Sequence, residues 1–343
     1  MKKMFLALIL SCMPCLALAG QGEVYVYNWT EYVPDAVLQQ FTEETGIKVI
    51  YTTYDSNEAM YAKVKLLGGE GYDVVVPSTY FVSKMRREKL LFPLDRTKLP
   101  NFNNLDVAFL DKSYDPDNAY SVPYLWGGSG VIVDSDTVPA EGMNSWHYLW
   151  RPELKGRLLL QDDLRDVLGI GLLLKGYSVN ETDPEHIREA YEVIKTLAPN
   201  VLVYNSDSPK SAYLGGEVAG GMIWNGEAHQ AMAEMESLKF AWAKEGGLLW
   251  MDNFVIPKGA KNVDNAHAFI NFMLRPDISA QCCEEYGYPT PIVAARELLP
   301  DELRNNPVIF PPAGVLEHSE FQNDVGEAIL VYEKYWHMLK AGQ

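Results

Sequence analysis

From Glu23 onward the chain alternates between two hydrophobic periods. Short runs that are almost wholly apolar or aromatic give way to stretches with apolar residues three and four apart, the signatures of buried strands and amphipathic helices. Residues 24–27 read as a strand and residues 34–44 as a helix ended by Gly46. Residues 48–54 form another strand, and Ser56-Asn57-Glu58 opens a helix to Leu67 before Gly68-Gly69. The DVVV run at 73–76 is a short apolar strand of the kind buried in a parallel sheet. A βαβαβ start predicts an α/β domain with right-handed crossovers.

The middle repeats the pattern. Strands are expected at 130–134, 157–161, 201–204, 222–224 and 248–256, and helices at 164–174, 184–197 and 228–236. Pro184 after Asp183 is a helix-start signal. Further helices are expected at 263–274, 277–286 and from about Asn323 to Leu339. No flexible linker or repeat separates independent folds. The expectation is two α/β lobes sharing a cleft, with ligand outside the carboxyl ends of the strands.

A length of 343 residues is enough for about two domains of roughly 150 residues each. The net charge of −17 repels a phosphate backbone, which argues against nucleic acid and favours cationic partners. Lys2 and Lys3 precede an apolar run over 4–18, and Ala17-Leu18-Ala19 fits the small-x-small rule, so an export signal cleaved after Ala19 is expected. Its loss leaves 27 basic against 46 acidic residues, a balance of −19. Cys12 and Cys15 leave with it. The adjacent Cys282 and Cys283 then read as two thiols in a helix, with a vicinal disulfide as the alternative.

Candidate chemistry gathers at strand ends. Asn28-Trp29-Thr30-Glu31-Tyr32 offers an indole beside a carboxylate; in an extended segment Trp29 and Glu31 point to the same side. That pairing suits an ammonium group, through charge-assisted hydrogen bonding and cation–π attraction. The alternative is a helix start with Trp29 packed in the core. Trp250-Met251-Asp252 repeats the pairing. Asp163 and Asp166 share a helix face in a first turn, where acidic residues also serve as ordinary caps. Aromatics at four strand ends (Trp29, Tyr80, Trp224 and Trp250), with Tyr288 in a turn, resemble walls around an alkyl chain bearing positive charges.

Enzyme and cofactor signatures are poor. Trp126-Gly127-Gly128-Ser129-Gly130 fails as a nucleophile elbow because Val131 replaces the final glycine. No complete dinucleotide fingerprint or P-loop appears, and the six histidines lack metal-ligand spacing and read as surface or partly buried. No cofactor is expected. An exported glycoside hydrolase using Asp163 and Asp166, or a receptor for another solute, are the competing readings.

Several segments also resemble a known family: NWTEY at 28–32, VVPSTYFVSKM at 75–85, LLLQDDLRD at 158–166, GMIWNGEA at 221–228, KEGGLLWMDNF at 244–254, YGYPTP at 286–291 and QNDVG at 322–326. Together these resemble the periplasmic spermidine/putrescine-binding proteins of ATP-binding cassette transporters. The resemblance implies a two-lobed, type II-like periplasmic binding protein, each lobe a mostly parallel sheet flanked by helices, with a hinged cleft between. Residues 20–129 plus 253–297 would form one lobe and 130–252 plus 298–343 the other. It implies a periplasmic monomer that is not an enzyme, hands a polyamine to a membrane permease, and binds it through Trp29, Thr30, Glu31, Tyr32, Ser78, Tyr80, Asp163, Asp166, Ser206, Trp224, Trp250, Asp252, Tyr288 and Gln322. The family's spermidine binders carry Glu where this chain has Asp166.

Overall fold

The computed structural model describes residues 22–342. The expected export signal, residues 1–19, lies outside them. Strands β1 (Glu23–Trp29), β2 (Lys48–Tyr54) and β3 (Val74–Val75) form one parallel unit, and β6 (Leu158–Leu160), β7 (Val201–Tyr204) and β8 (Gly220–Trp224) form a second. Two longer strands join them: β5 (Ser121–Asp134) and β10 (Leu248–Pro257) pair antiparallel with each other, β10 with β3, and β5 with β8. The sheet order is therefore β2-β1-β3-β10-β5-β8-β6-β7. Short strands β4 (Leu91–Phe92) and β11 (Glu320–Phe321) pair with β10, and β9 (Leu238–Ala241) with β5.

The inner strands β3, β6 and β8 are buried almost throughout, without in–out alternation, whereas the outer strands β2 and β7 are partly exposed. Helix α1 (Asp35–Thr45) buries Val37 and Phe41, one turn apart, and ends at Gly46 in the left-handed region (φ 72°), as the sequence suggests. Helix α2 (Asn57–Leu66) is capped by Ser56, whose side chain accepts from the Ala59 N–H. Helix α3 (Thr79–Arg87) is an element that the hydrophobic pattern does not announce. On the second unit, α4 (Leu164–Lys175) is buried from Leu164 to Leu173, and α5 (Pro184–Lys195) starts at Pro184 with Asp183 as its cap. The remaining helices that bear on the cleft are α6 (Pro209–Leu214), α7 (Asn225–Glu234), α8 (Val263–Met273) and α9 (Pro276–Tyr286).

Some expectations change. The strand expected at 130–134 begins at Ser121, because Pro123 and the glycines at 127, 128 and 130 mask an otherwise apolar run. Gly127 has a packing reason: a Cβ there would stand 2.6 Å from the Trp250 ring and 2.4 Å from Asn225 Oδ1. The last helix starts at Ile329, after Gly326 (φ 59°), rather than near Asn323. Cys282 and Cys283 are free, buried thiols, so the vicinal disulfide is excluded. His267 is buried outright and accepts the Asp95 N–H at 2.9 Å. Among the described residues, no helix is long and apolar enough to cross a membrane.

A cleft of unpaired carboxylates and aromatic faces

The cleft opens where the two parallel units meet, at the carboxyl ends of β1, β3, β6, β7 and β8, and encloses about 720 Å3 of atom-free space, open solvent at its mouth included. All fourteen residues named from the sequence line it. Trp29 ends β1 and Thr30 to Tyr32 follow it, Ser78 and Tyr80 follow β3, Asp163 and Asp166 follow β6, Ser206 follows β7, Trp224 ends β8, and Trp250 and Asp252 lie on β10. Tyr288 follows α9 and Gln322 follows β11.

The pairing of β10 with β5 shifts register between Met251 and Asn253, where Tyr124 and Leu125 of β5 stand opposite the single residue Asp252, and Asp252 bridges Ser78 on its other side. Its carboxylate accepts Ser78 Oγ–H at 2.5 Å and Tyr32 O–H at 2.7 Å. Asn57, buried behind, donates to Ser78 Oγ at 3.0 Å and accepts the Ser78 N–H at 3.1 Å, which fixes that hydroxyl. Burial pushes the Asp252 carboxyl up to about 7, with the two hydroxyl hydrogen bonds opposing.

Asp166 sits at the other end, buried, and accepts Ser129 Oγ–H at 2.6 Å and Gln322 Nε2–H at 2.5 Å. Burial first, then the neighbouring Asp163 charge, pushes it up to about 7. Asp163 serves two purposes: Oδ1 caps α4 by accepting the N–H of Arg165 (2.8 Å) and Asp166 (3.0 Å), while the residue also lines the cleft. The same side chain thus caps α4 and borders the cleft. Burial raises its pKa, and those backbone N–H groups oppose the rise.

The aromatic walls interlock. Tyr288 stands edge-on to Trp250 (ring centroids 5.3 Å apart) and to Tyr32 (5.5 Å). Gly226 makes room for it, since a Cβ there would fall 2.4 Å from the Tyr288 ring. Trp29 is fixed by its Nε1–H donating to Val76 O at 3.0 Å and by Tyr54, 4.8 Å away between centroids. Ser206 Oγ and Trp250 Nε1 are buried polar atoms with no hydrogen-bond partner, in a wall facing the cavity.

One geometric expectation fails. The segment after β1 does not stay extended, because Glu31 adopts φ 51°, so Trp29 and Glu31 do not share a face through strand alternation. Glu31 sits at the exposed mouth instead. The cleft also includes Tyr54, Asp55, Asn57, Asp207, Ser208 and Glu227, which the sequence reading missed. Tyr54 ends β2 and satisfies the same strand-end rule that singled out Trp29. Asp55 and Asn57 were hidden in an ordinary helix-start signal, and Glu227 in the first turn of α7.

The lining therefore carries seven carboxylates (Glu31, Asp55, Asp163, Asp166, Asp207, Glu227 and Asp252) and no Lys, Arg or His. Asp166 and Asp252 accept only from neutral donors, so their charge is met by no cation. Such a surface is complementary to a cation with an apolar body. Among the described residues, no group of three or more His, Cys, Asp or Glu side chains could hold a metal ion.

Comparison with known proteins agrees with this geometry. The family model of bacterial extracellular solute-binding proteins matches residues 36–311. The spermidine/putrescine-binding periplasmic protein of Escherichia coli is 51% identical over 320 residues, covering 93% of this chain and 92% of that protein. Haemophilus influenzae has a spermidine/putrescine-binding periplasmic protein 46% identical over 326 residues, covering 95% and 91%. The solved structure of a spermidine/putrescine transporter substrate-binding protein from Streptococcus pneumoniae superposes with a TM-score of 0.81 at 40% identity, covering 94% of this chain and 99% of that one. By fold, cleft and sequence, the chain belongs to the bacterial extracellular solute-binding proteins.

Proposed function

We infer that the chain is the periplasmic receptor of a polyamine uptake system: it captures putrescine or spermidine in the cleft and delivers it to the permease of an ATP-binding cassette importer, with no catalysis. The observation that carries this reading is the pair of buried carboxylates, Asp252 and Asp166, held by hydroxyls and an amide with no cation of their own, beside aromatic faces. Its support from relatives is that proteins 46–51% identical are spermidine/putrescine-binding.

The fourteen cleft residues divide the work by chemistry. Asp163, Asp166, Asp252 and Glu31 meet ammonium groups; Trp224, Trp250, Trp29, Tyr32, Tyr80 and Tyr288 cover methylenes and offer cation–π contacts; Thr30, Ser78, Ser206 and Gln322 orient the carboxylates or the ligand. A charge-assisted hydrogen bond nets roughly 1.5–3 kcal/mol and a desolvated cation–π contact about 2 kcal/mol. Two or three of each, less ordering, reach the roughly −8 kcal/mol of micromolar binding.

The lobes divide at 20–129 plus 253–297 and 130–252 plus 298–343, a reading supported by β5 and β10, which run between the two parallel units. A ligand touching both lobes favours the closed state, which the permease reads. The mature monomer begins after Ala19. A thermal-shift panel of putrescine, cadaverine, spermidine and spermine tests the class: at a hundredfold excess over Kd one of them should stabilise by about 2.7 kcal/mol. No response to any of the four overturns the reading.

A further inference from the structure

One of the four carboxylates assigned to ammonium groups, Glu31, already faces a cation of the chain at the cleft mouth. Glu31, two residues past β1, meets Lys210, the second residue of α6, with Nζ and Oε2 2.8 Å apart. The ammonium also donates to Gln230 Oε1 at 2.5 Å, and the Gln230 amide is oriented by donating to Tyr286 O at 3.1 Å. The Lys210 side chain is 14% exposed and that of Glu31 43%, so the cation is the more withdrawn partner. Its backbone is pinned too: the Lys210 N–H donates to Oε2 of the buried Glu227 in the cleft wall at 3.0 Å. Glu31 (φ 51°) and Ser208 (φ 50°) both adopt the left-handed backbone that residues with a Cβ rarely take, one on each side of the pair.

Lys210 thus gives Glu31 what Asp166 and Asp252 lack. We propose that Lys210 is a built-in occupant of the Glu31 position and makes the cleft select ligands with two ammonium groups over ligands with three. This rests on the polyamine reading. A diamine has its charges met by Asp252 and by the Asp163–Asp166 pair and asks nothing of Glu31. A third ammonium at Glu31 must share one carboxylate with a like charge, or displace a largely buried ammonium and leave it only the Gln230 oxygen.

Calorimetric Kd values for putrescine and spermidine, measured on the wild-type chain, Lys210→Met, and Lys210→Met combined with Glu31→Gln, test this. Methionine keeps an unbranched stem and removes the charge; Lys210→Gln serves if it folds poorly. The expected result is a shift of the putrescine/spermidine preference at least tenfold toward spermidine in Lys210→Met, lost when Glu31→Gln is added. A preference unmoved within threefold, moved toward putrescine, or moved equally with Glu31→Gln present overturns the proposal. If the wild-type chain binds neither amine, the polyamine reading itself falls; if it binds but the preference stays put, only the role of Lys210 falls.

Discussion

Replacing Asp252 with Asn removes a charge that meets only the hydroxyls of Ser78 and Tyr32 and no cationic side chain. Burial lifts this carboxyl from 3.8 to about 7 in the folded chain. A folded-state pKa above the unfolded one means that the folded chain binds the proton more tightly. Stability therefore falls as pH rises from about 4 to about 7 and levels off above. At about 1.4 kcal/mol per pH unit, the ionised carboxylate costs about 4 kcal/mol at pH 8 and about 1–2 kcal/mol at pH 5. Asparagine can accept from one of the two hydroxyls, Ser78 or Tyr32, and forfeits about 1 kcal/mol at the other. Asp252→Asn should therefore be about 2–3 kcal/mol more stable than the wild-type chain at pH 8 and within about 1 kcal/mol of it at pH 5. Ligand capture moves the other way. Loss of a charge-assisted hydrogen bond worth roughly 1.5–3 kcal/mol weakens polyamine binding about tenfold to 150-fold. Urea denaturation at the two pH values and titration calorimetry at pH 8 measure both effects. Equal destabilisation at both pH values, or affinity kept within threefold, would refute the idea that this carboxylate is held uncompensated for a cation.

Three other outcomes follow from the same geometry. A bound ammonium should pull the Asp252 and Asp166 carboxyls down from about 7, so polyamine uptake at pH 7 releases protons. Calorimetry in buffers of different ionisation enthalpy should show that release, and affinity should rise from pH 6 to pH 8; pH-independent binding contradicts it. Ser206→Ala removes a buried hydroxyl that has no hydrogen-bond partner within the chain, so it should change stability by less than about 0.5 kcal/mol while weakening ligand binding several-fold. Gly226→Ala drives a methyl into the Tyr288 ring and should destabilise by about 1–3 kcal/mol, read as a lowered melting temperature, with weaker binding from the displaced ring; unchanged melting contradicts that packing.

Much of this was legible in the sequence because function and folding use different signals here. The period of apolar residues places β1, α1, α2, α4 and α5 nearly where they stand, since each buries a set of apolar side chains, and β2 is found where its β-rich run lies although only Tyr54 of it is buried. Trp250 and Asp252 were visible as an aromatic and a carboxylate at the end of an apolar run. What holds Asp252 is not visible, because its partners Ser78 and Tyr32 come from distant stretches of the chain. Glu31 illustrates the opposite failure: strand alternation would align it with Trp29, but β1 ends and the backbone turns left-handed. Strand β5 was cut short because Pro123 and its glycines mimic a loop, although their role is to let Trp250 and other side chains lie close to the strand. Lys210 carried no signal at all. A lysine after Ser-Pro reads as a solvated turn, and only the meeting of α6 with the loop after β1 gives it a partner.

The most direct test of the account compares putrescine with 1,4-butanediol, which has the same four-carbon body and hydroxyls in place of ammonium groups. Titration calorimetry at pH 8 and low salt should give a Kd near or below the micromolar range for putrescine and no measurable heat of binding for the diol at millimolar concentration. Comparable affinity for the two, or no binding of putrescine, would contradict the claim that unpaired carboxylates in this cleft are there to meet a multiply charged amine.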